Sequence, residues 1–362
     1  MTSNANPKIL LTGATGFIGG TILSYLLNSS SPALKAATIT CLVRGPDRAA
    51  KLTSAYGSRV HPIVYKDLDD IEATVAAAAQ NDLVINTTNG YHIASTQALL
   101  RGLSQRKVST GRDVWMIHTS GASNLGDRPI TKGRAEQEVR EFDDARDDVY
   151  GYEKELERKE GLYAQRTTEL AVVDTGLELG VKTLVIMSPT IYGLGTGLFN
   201  KISIQIPAYV AAVFQNKRAV VLGDGKGVWD HVHVEDLAEL YLLIARRVLE
   251  EGGEGVPTGK RGIIFSGNGR HSWLELTQQV ANACAEKNLI TDRHVHSIGI
   301  PDMLKLTPMD RATEDVVELG FASNSRTVSS VGRSLGWKPT RGEEAWQREF
   351  RDVVQAVLEK AA

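Results

Sequence analysis

Lys8-Ile-Leu-Leu-Thr12-Gly13-Ala-Thr-Gly16-Phe-Ile-Gly19-Gly20 decides the fold. Lys8–Thr12 is a short apolar run, long enough for a buried strand and too short for a helix. Glycines follow at once. Phe17–Leu27 then repeats its apolar residues at helical spacing and stops near Asn28-Ser-Ser-Ser-Pro32. Strand, glycine turn and helix in that order form the setting in which such a turn holds phosphate. Gly13 permits the tight turn, Gly16 lets the main chain approach a pyrophosphate, and Gly19 lets the helix pack close on the strand. The helix N-terminus offers free N–H groups to the anion. Thr15, Phe17 and Ile18 lie on the same turn and join the glycines as candidate cofactor contacts.

The pattern continues outward from this unit. Further strands are predicted at Thr38–Val43, Val60–Tyr65, Asp82–Asn86, Val114–Thr119 and Val181–Met187, and helices at Asp47–Tyr56, Leu68–Ala79, Ala94–Arg106 and Thr167–Leu179. Short apolar runs alternating with helices read as βαβ units. The expected fold is α/β, a Rossmann-type doubly wound parallel sheet with a ligand crevice at the strand C-terminal ends. Residues 1–192 are expected to form this dinucleotide-binding domain. Residues 193–362 are expected to be mainly a smaller C-terminal substrate lobe, with helices near Val234–Glu250, Ser272–Glu286 and Glu343–Lys360 and some segments returning to the sheet. Asp127–Gly161, rich in Asp, Glu, Arg and Lys, reads as a solvated helix plus loop.

Composition narrows the function. The chain has 362 residues, 42% of them hydrophobic, enough to bury a sizeable core. A net charge of −2 leaves no broad basic field, so nucleic acid is not an expected partner. Met1–Pro7 lacks the apolar core of a secretory leader, and the longest apolar stretch, Ile202–Val213, is broken by Gln205 and Pro207. No membrane span is expected, and the expected address is cytoplasmic. Cys41 and Cys284 match no metal spacing and read as buried, incidental thiols. Trp229, Asp230, His231 and His233 cluster without a third histidine or cysteine, so no metal site is expected.

The Gly-x-x-Gly-x-x-Gly spacing resembles the short-chain dehydrogenases/reductases. Ser188-Pro-Thr-Ile-Tyr-Gly193, Gly223-Asp-Gly225, His233-Val-Glu-Asp-Leu-Ala238 and Leu335-Gly-Trp-Lys-Pro339 resemble segments of their extended branch, which includes NAD-dependent epimerases and dehydratases. The likeness spans Ile9 to Pro339 and is specific to the superfamily, not to a substrate. An NAD site usually ends its second strand with an acid that binds the ribose. This strand ends Cys41-Leu-Val-Arg44, with Arg48 and Lys51 beyond, so NADP is expected over NAD. The resemblance implies that Asp67 and Leu68 contact adenine, that Asn86 and Thr87 line the cofactor pocket, and that Thr119 and Pro189 complete the set.

The family's chemistry uses a tyrosine as proton donor or acceptor, a lysine four residues later that lowers its pKa, and a hydroxyl that holds the substrate oxygen. His118-Thr119-Ser120-Gly121-Ala122-Ser123 resembles the serine-rich stretch. In the commonest register the hydroxyl falls on Gly121, which leaves Ser120, slightly preferred, and Ser123. Tyr163 begins the helix before the sixth strand but has Thr167 where the lysine belongs. Tyr150 and Lys154 match Tyr-x-x-x-Lys literally, yet stand far ahead of that strand. Both pairs stay open. Tyr192, Phe199 and Trp229 are candidates for an apolar pocket, and Asn324, Ser325 and Arg326 for a closing segment. Three functions follow. The first is an NADP(H)-dependent oxidoreductase acting on a carbonyl or alcohol of a small organic molecule. The second is a nucleotide-sugar epimerase or dehydratase with bound NAD. The third is a non-catalytic NADP sensor like the negative nitrogen regulators of the atypical branch. A homodimer through paired helices, common in the family, stays an open expectation.

Overall fold

The computed structural model describes residues 6–133, 140–306 and 312–361. The expectations for the N-terminal stretch through residue 5, and for 134–139 of the charged stretch, lie outside the described residues. The first half of the chain contains β1 (Lys8–Thr12), α1 (Phe17–Asn28), α2 (Pro32–Ala36), β2 (Thr38–Arg44), α3 (Pro46–Tyr56), β3 (Val60–Tyr65), α4 (Ile71–Ala78), β4 (Leu83–Asn86), α5 (Ile93–Thr110), β5 (Trp115–Gly121), β6 (Glu141–Asp143), α6 (Val149–Glu160), α7 (Ala164–Leu179), β7 (Lys182–Ser188) and β8 (Thr190–Tyr192). The second half contains α8 (Gln205–Asn216), β9 (Ala219–Leu222), β10 (Val228–His233), α9 (Val234–Glu251), β11 (Ile263–Phe265), β12 (Gly269–Ser272), α10 (Trp273–Glu286), β13 (Val295–Ile298), α11 (Ile300–Leu306), α12 (Glu314–Phe321), β14 (Arg326–Val328), α13 (Ser330–Ser334) and α14 (Glu343–Ala361).

Seven strands form one sheet in the order β11-β7-β5-β4-β1-β2-β3, and every neighbouring pair is parallel. The chain winds outward from β1 in both directions, the doubly wound arrangement that alternating strands and helices imply. The order reverses between β1 and β4, the kind of switch point at which doubly wound sheets bind their ligands.

The first strand shows why the sequence folds this way. Ile9, Leu10 and Leu11 are all fully buried. Ile9 and Leu11 pack in one layer with Leu23 and Leu26 of α1 and Leu237 and Tyr241 of α9. Leu10 points to the opposite layer, with Ala77 of α4 and Leu99 and Leu103 of α5. Side chains alternate faces along a strand, and both faces are covered, so the strand reads as a continuous apolar run. Burial of each such side chain contributes ~1.5–3 kcal/mol.

A second core gathers Tyr209, Trp229, Trp273, Phe321 and Trp346. Around it lie the three-stranded sheet β12-β10-β8 and the strand pairs β13-β9 and β14-β6. Two segments of the C-terminal half return to the large sheet: β11 extends its edge beside β7, and α9 packs along α1. Ile202–Val213 is helical from Gln205 onward. Pro207 sits in the first turn of that helix, where a missing N–H forfeits no intrahelical bond. The loop ahead of α8 folds over the start of α1. The Thr196 N–H donates to Thr21 Oγ1 at 3.3 Å, and Gly197 presses on Gly20 so closely that a Cβ on it would lie 2.8 Å from the Gly20 Cα.

Cys41 and Cys284 are free and buried. No helix among the described residues is long and apolar enough to cross a membrane.

Candidate active site

The glycine turn makes a cradle at the C-terminal end of β1, at that switch point. Gly13 has φ +75°, and a Cβ there would meet Thr87 Oγ1 at 2.5 Å. A Cβ on Gly19 would lie 2.3 Å from the Gly13 carbonyl oxygen, so neither position admits a side chain. The Gly16 N–H donates to that carbonyl at 2.8 Å. The first turn of α1 carries no capping side chain and no acidic residue, which leaves its N–H groups for an anion. Phe17 is buried beneath the turn, while Thr15 and Ile18 are half-buried. The floor is rigid. Thr87 Oγ1 donates to the Thr12 carbonyl at 2.7 Å, and Thr12 Oγ1 donates to Asn86 Oδ1 at 2.6 Å. The amide nitrogen of Asn86 meets His118 Nδ1 at 3.0 Å. Burial pushes His118 down to about 4, so its ring is neutral and accepts that bond.

Beside the cradle, Arg44 ends β2 opposite Tyr65 of β3. It is exposed, and no hydrogen bond or ion pair to it occurs among the described residues. Arg48 and Lys51 are exposed on α3. Asp67 Oδ1 accepts from the Asp69 N–H at 2.9 Å, while Leu68 packs against the layer that holds Leu10. Thr119 and Tyr241 share a hydrogen bond of 2.5 Å between their hydroxyls. Pro189 is buried between β7 and β8.

A chain of hydroxyls lies at the far end of β5. Tyr163 caps the N-terminus of α7 and is 2% exposed. Its hydroxyl donates to Ser123 Oγ at 3.1 Å, and Ser123 donates onward to Gln165 Oε1 at 2.5 Å. With its proton thus committed, Tyr163 accepts from the Tyr91 hydroxyl, 3.2 Å away. The direction is therefore Tyr91 to Tyr163 to Ser123 to Gln165, and it leaves the Gln165 amide N–H groups as donors. The structure thus brings Ser123 to Tyr163. Ser120, the preferred candidate from the sequence, accepts instead from the Asn124 amide at 3.2 Å. Gly121 explains the part taken by Gln165. A Cβ on Gly121 would lie 2.9 Å from both Gln165 Oε1 and Nε2, so the carboxamide fills the space that a side chain would claim. Sequence reasoning missed Tyr91 and Gln165. The one available signal was the glycine standing where a hydroxyl was expected.

Burial raises both phenols, and for Tyr163 the neighbouring Tyr91 adds to the effect. Four residues on, Thr167 donates to Glu157 and to the Tyr163 carbonyl. The Arg166 guanidinium carbon lies 5.9 Å from the centre of the Tyr163 ring.

Tyr150 and Lys154 are not brought to Ser123. The Tyr150 hydroxyl and the Lys154 ammonium both donate to Asp174, at 2.5 and 2.7 Å. Asp174 is eleven residues beyond Tyr163, ~16 Å along the axis of α7. The remaining candidates serve the scaffold. Asp230 binds Arg270 and Thr327, and the Trp229 indole donates to Ser323. His231 stacks on Trp346 with centroids 3.9 Å apart, and His233 caps α9 by accepting from the Glu235 N–H. Among the described residues no group of three potential ligands could hold a metal ion. Tyr192 is buried and donates to the Arg341 carbonyl, and Phe199 packs on the layer of α1 and α9. Asn324 binds Asp127, and Ser325 donates to the Ala122 carbonyl at 2.6 Å, which pins the turn bearing Ser123.

The sequence model of the NAD dependent epimerase/dehydratase family matches residues 148–256, and that of the male sterility protein family matches residues 11–98. Oxidase ucsJ of an Acremonium species is 31% identical, with 98% of each chain aligned. Uncharacterized protein C2A9.02 of Schizosaccharomyces pombe is 24% identical over 92% of this chain and 95% of its own. Among solved structures, DesIV, a dTDP-glucose 4,6-dehydratase from Streptomyces venezuelae with NAD and TYD bound, superposes with a TM-score of 0.64 at 16% identity, covering 97% of each chain. The UDP-glucuronic acid 4-epimerase of Bacillus cereus, in complex with NAD, reaches 0.62 at 13%, covering 98% of this chain and 100% of its own. At those identities the likeness concerns the fold alone. Glycine cradle, sheet order, family matches and a full-length relative agree: the chain belongs to the extended short-chain dehydrogenase/reductase superfamily, within its NAD(P)-dependent epimerase/dehydratase-like oxidoreductases.

Proposed function

We propose that the protein is an NADP(H)-dependent oxidoreductase that reduces a carbonyl of a small organic molecule, with Tyr163 as the proton donor. The observation that carries this reading is the hydroxyl chain running through Tyr163 and Ser123 at the C-terminal end of β5, two strands from the glycine turn. Gly13, Thr15, Gly16, Phe17, Ile18 and Gly19 would hold the pyrophosphate, and Arg44, with Arg48, a 2′-phosphate. Asp67 and Leu68 would border the adenine, and Asn86, Thr87, Thr119 and Pro189 the nicotinamide half. A bound nicotinamide coenzyme supplies the hydride.

The chain's own residues do the rest. A phenol raised by burial is neutral at physiological pH, the protonation state of a donor. Tyr91 can replace the proton that Tyr163 gives up, since its hydroxyl already points there. Gln165, through its spare N–H groups, would hold the substrate oxygen, and Ser123 would join it once its proton turns from Gln165 to the substrate. The half beyond Gly193 would supply the walls of the substrate pocket. The name oxidase carried by the Acremonium relative is in keeping with redox work.

Two observations keep other readings in view. The dehydratase and the epimerase that share the fold both hold NAD, which favours sugar-nucleotide chemistry. Thr167 in place of a lysine favours a sensor. Calorimetric titration with NADPH and NADH, on the wild type and on Arg44→Ala, separates the first of these. NADPH should bind the wild type more tightly, and Arg44→Ala should weaken NADPH by roughly 10- to 100-fold while sparing NADH. Equal or tighter NADH binding would overturn the NADP assignment. Turnover of any carbonyl coupled to NADPH oxidation would remove the sensor.

A further inference from the structure

Behind the hydroxyl chain lies a set of buried charges that the proposed chemistry leaves unused. Glu153 of α6 and Glu169 of α7 are both fully buried, and Arg166 of α7 is 1% exposed. They grip the turn that carries Ser123. The Asn124 amide donates to Glu169 Oε2 at 2.7 Å, and Arg166 Nη1 donates to the Asn124 carbonyl at 3.2 Å. Arg166 Nη2 reaches the Gly161 carbonyl at 3.1 Å, two residues before Tyr163. One guanidinium therefore touches the backbone on both sides of the Ser123–Tyr163 pair.

The two carboxyls do not balance as a pair of anions. Neither oxygen of Glu153 nor Oε1 of Glu169 has a well-formed hydrogen bond, although the Asn124 amide lies near Glu153 and the Ser120 hydroxyl near Glu169. Buried carboxylate oxygens left unpaired are costly. The two groups lie within hydrogen-bonding reach of each other, and a protonated carboxyl becomes a donor, so one proton between them pairs one oxygen of each. Charge counting agrees. Arg166 is the single cation of the set, and of the two carboxyls it faces Glu153. The other charges that face it are Glu157 and Glu160 of α6 and Arg128 of the preceding loop. Thr167 donates to Glu157, and Arg128 pairs with Glu160 and Asp315. Desolvation and mutual repulsion raise Glu153 well above the carboxylate range, and burial raises Glu169 to about 7.

We propose that Glu153 and Glu169 hold a single proton between them at neutral pH, and that this pair, acting through Arg166, sets the charge felt by Tyr163 in place of the lysine absent at Thr167. The inference rests on the reading of Tyr163 as the acid. Glu153, Glu169 and Arg166 are positioning residues; none touches the reacting atoms. With one proton shared, the Arg166 cation and one carboxylate cancel. As pH rises the pair releases that proton to solvent, a second negative charge appears behind Tyr163, and the phenol becomes a weaker acid.

Nuclear magnetic resonance of protein carrying carbon-13 at the glutamate carboxyls and the tyrosine ring Cζ tests this without substrate. Glu153→Gln, Glu169→Gln and Tyr163→Phe assign the signals, and either glutamine variant suffices because its amide mimics the protonated carboxyl. Two carboxyl signals should titrate together above neutral pH, and the Tyr163 Cζ signal should shift with the same midpoint. In the glutamine variant the joint step and the Tyr163 response should both vanish. Two glutamates already ionised in mildly acidic solution, or a Tyr163 signal that ignores the step, would overturn the proposal. Failure of the coenzyme assignment appears instead in the calorimetry and leaves this titration unchanged.

Discussion

Tyr163, Ser123 and Gln165 form a unit in which each group has a different chemical duty. Tyr163→Phe removes the donated proton and leaves the ring, so NADPH-linked carbonyl reduction should fall by about two to four orders of magnitude with coenzyme affinity kept. Gln165→Leu keeps the volume against Gly121 but loses the amide. It should raise KM and lower kcat together, by about ten- to a hundredfold in kcat/KM, if the amide holds the substrate oxygen. Steady-state kinetics of both variants checks these outcomes, and full activity in either one removes that residue from the assignment. The sequence disclosed this site unevenly. Tyr163 was legible from its place ahead of a helical repeat. Ser123 was legible only as one of two hydroxyls, because a turn can aim either one. Gln165 and Tyr91 were not legible at all. Each acquires its role from tertiary proximity, Tyr91 across 72 residues of chain, and local periodicity carries no such information.

The strands and helices of the first half follow the sequence closely, since each is an apolar run bounded by glycine, proline or a polar turn. β1 and β3 were read to the residue. The charged stretch before Gly161 misleads for a physical reason. Glu155, Arg158 and Lys159 do form exposed ion pairs on α6, as a solvated helix would, but Glu153 on the same helix is fully buried. A lone carboxylate turned inward has no signature beside five or six outward charges. The short strands β8 and β12 were missed because three or four residues carry too little pattern, and their pairing is set by long-range contacts. Arg341 locks α9 to the segment before α14. It donates to Asp236, which is fully buried, at 2.7 Å, and to Glu235 at 2.9 Å. Arg341→Met would strand the Asp236 carboxylate and should destabilise the protein by about 3–5 kcal/mol, measured by denaturant unfolding. An unchanged unfolding midpoint would mean that the main-chain N–H groups of Thr340 and Arg341 satisfy Asp236 alone.

Stability of the whole molecule should depend on pH through buried groups of opposite sign. His118, His231, His233 and His271 are held below their usual value by burial, His231 to about 3 and His118 and His233 to about 4. The unfolded chain binds more protons at these sites, so their contribution is present above about 6.5 and is lost as the solution turns acid. Burial raises Glu349 to about 8, and Glu169 lies near 7. There the folded chain binds more protons, so that contribution is present below the ordinary carboxyl pKa and is lost as pH climbs through those values. Between about 7.5 and 8.5 the unfolded histidines are already neutral, and among these groups only the raised carboxyls change charge. The melting temperature should therefore decline across that window, and Glu349→Gln should flatten the decline. A profile that rises through the window would contradict the burial of Glu349.

The contact between Gly20 and Gly197 gives the two halves of the chain an unusual genetic property. Most tight contacts can be repaired after a mutation, because a neighbour can lose a methyl group when its partner gains one. Here main chain rests on main chain, with Gly20 just behind the phosphate cradle and Gly197 at the mouth of the second half. Neither residue has anything to shed. A bulkier residue at either position can have no suppressor at the other, and the two halves can drift apart in sequence only while both of these sites stand still.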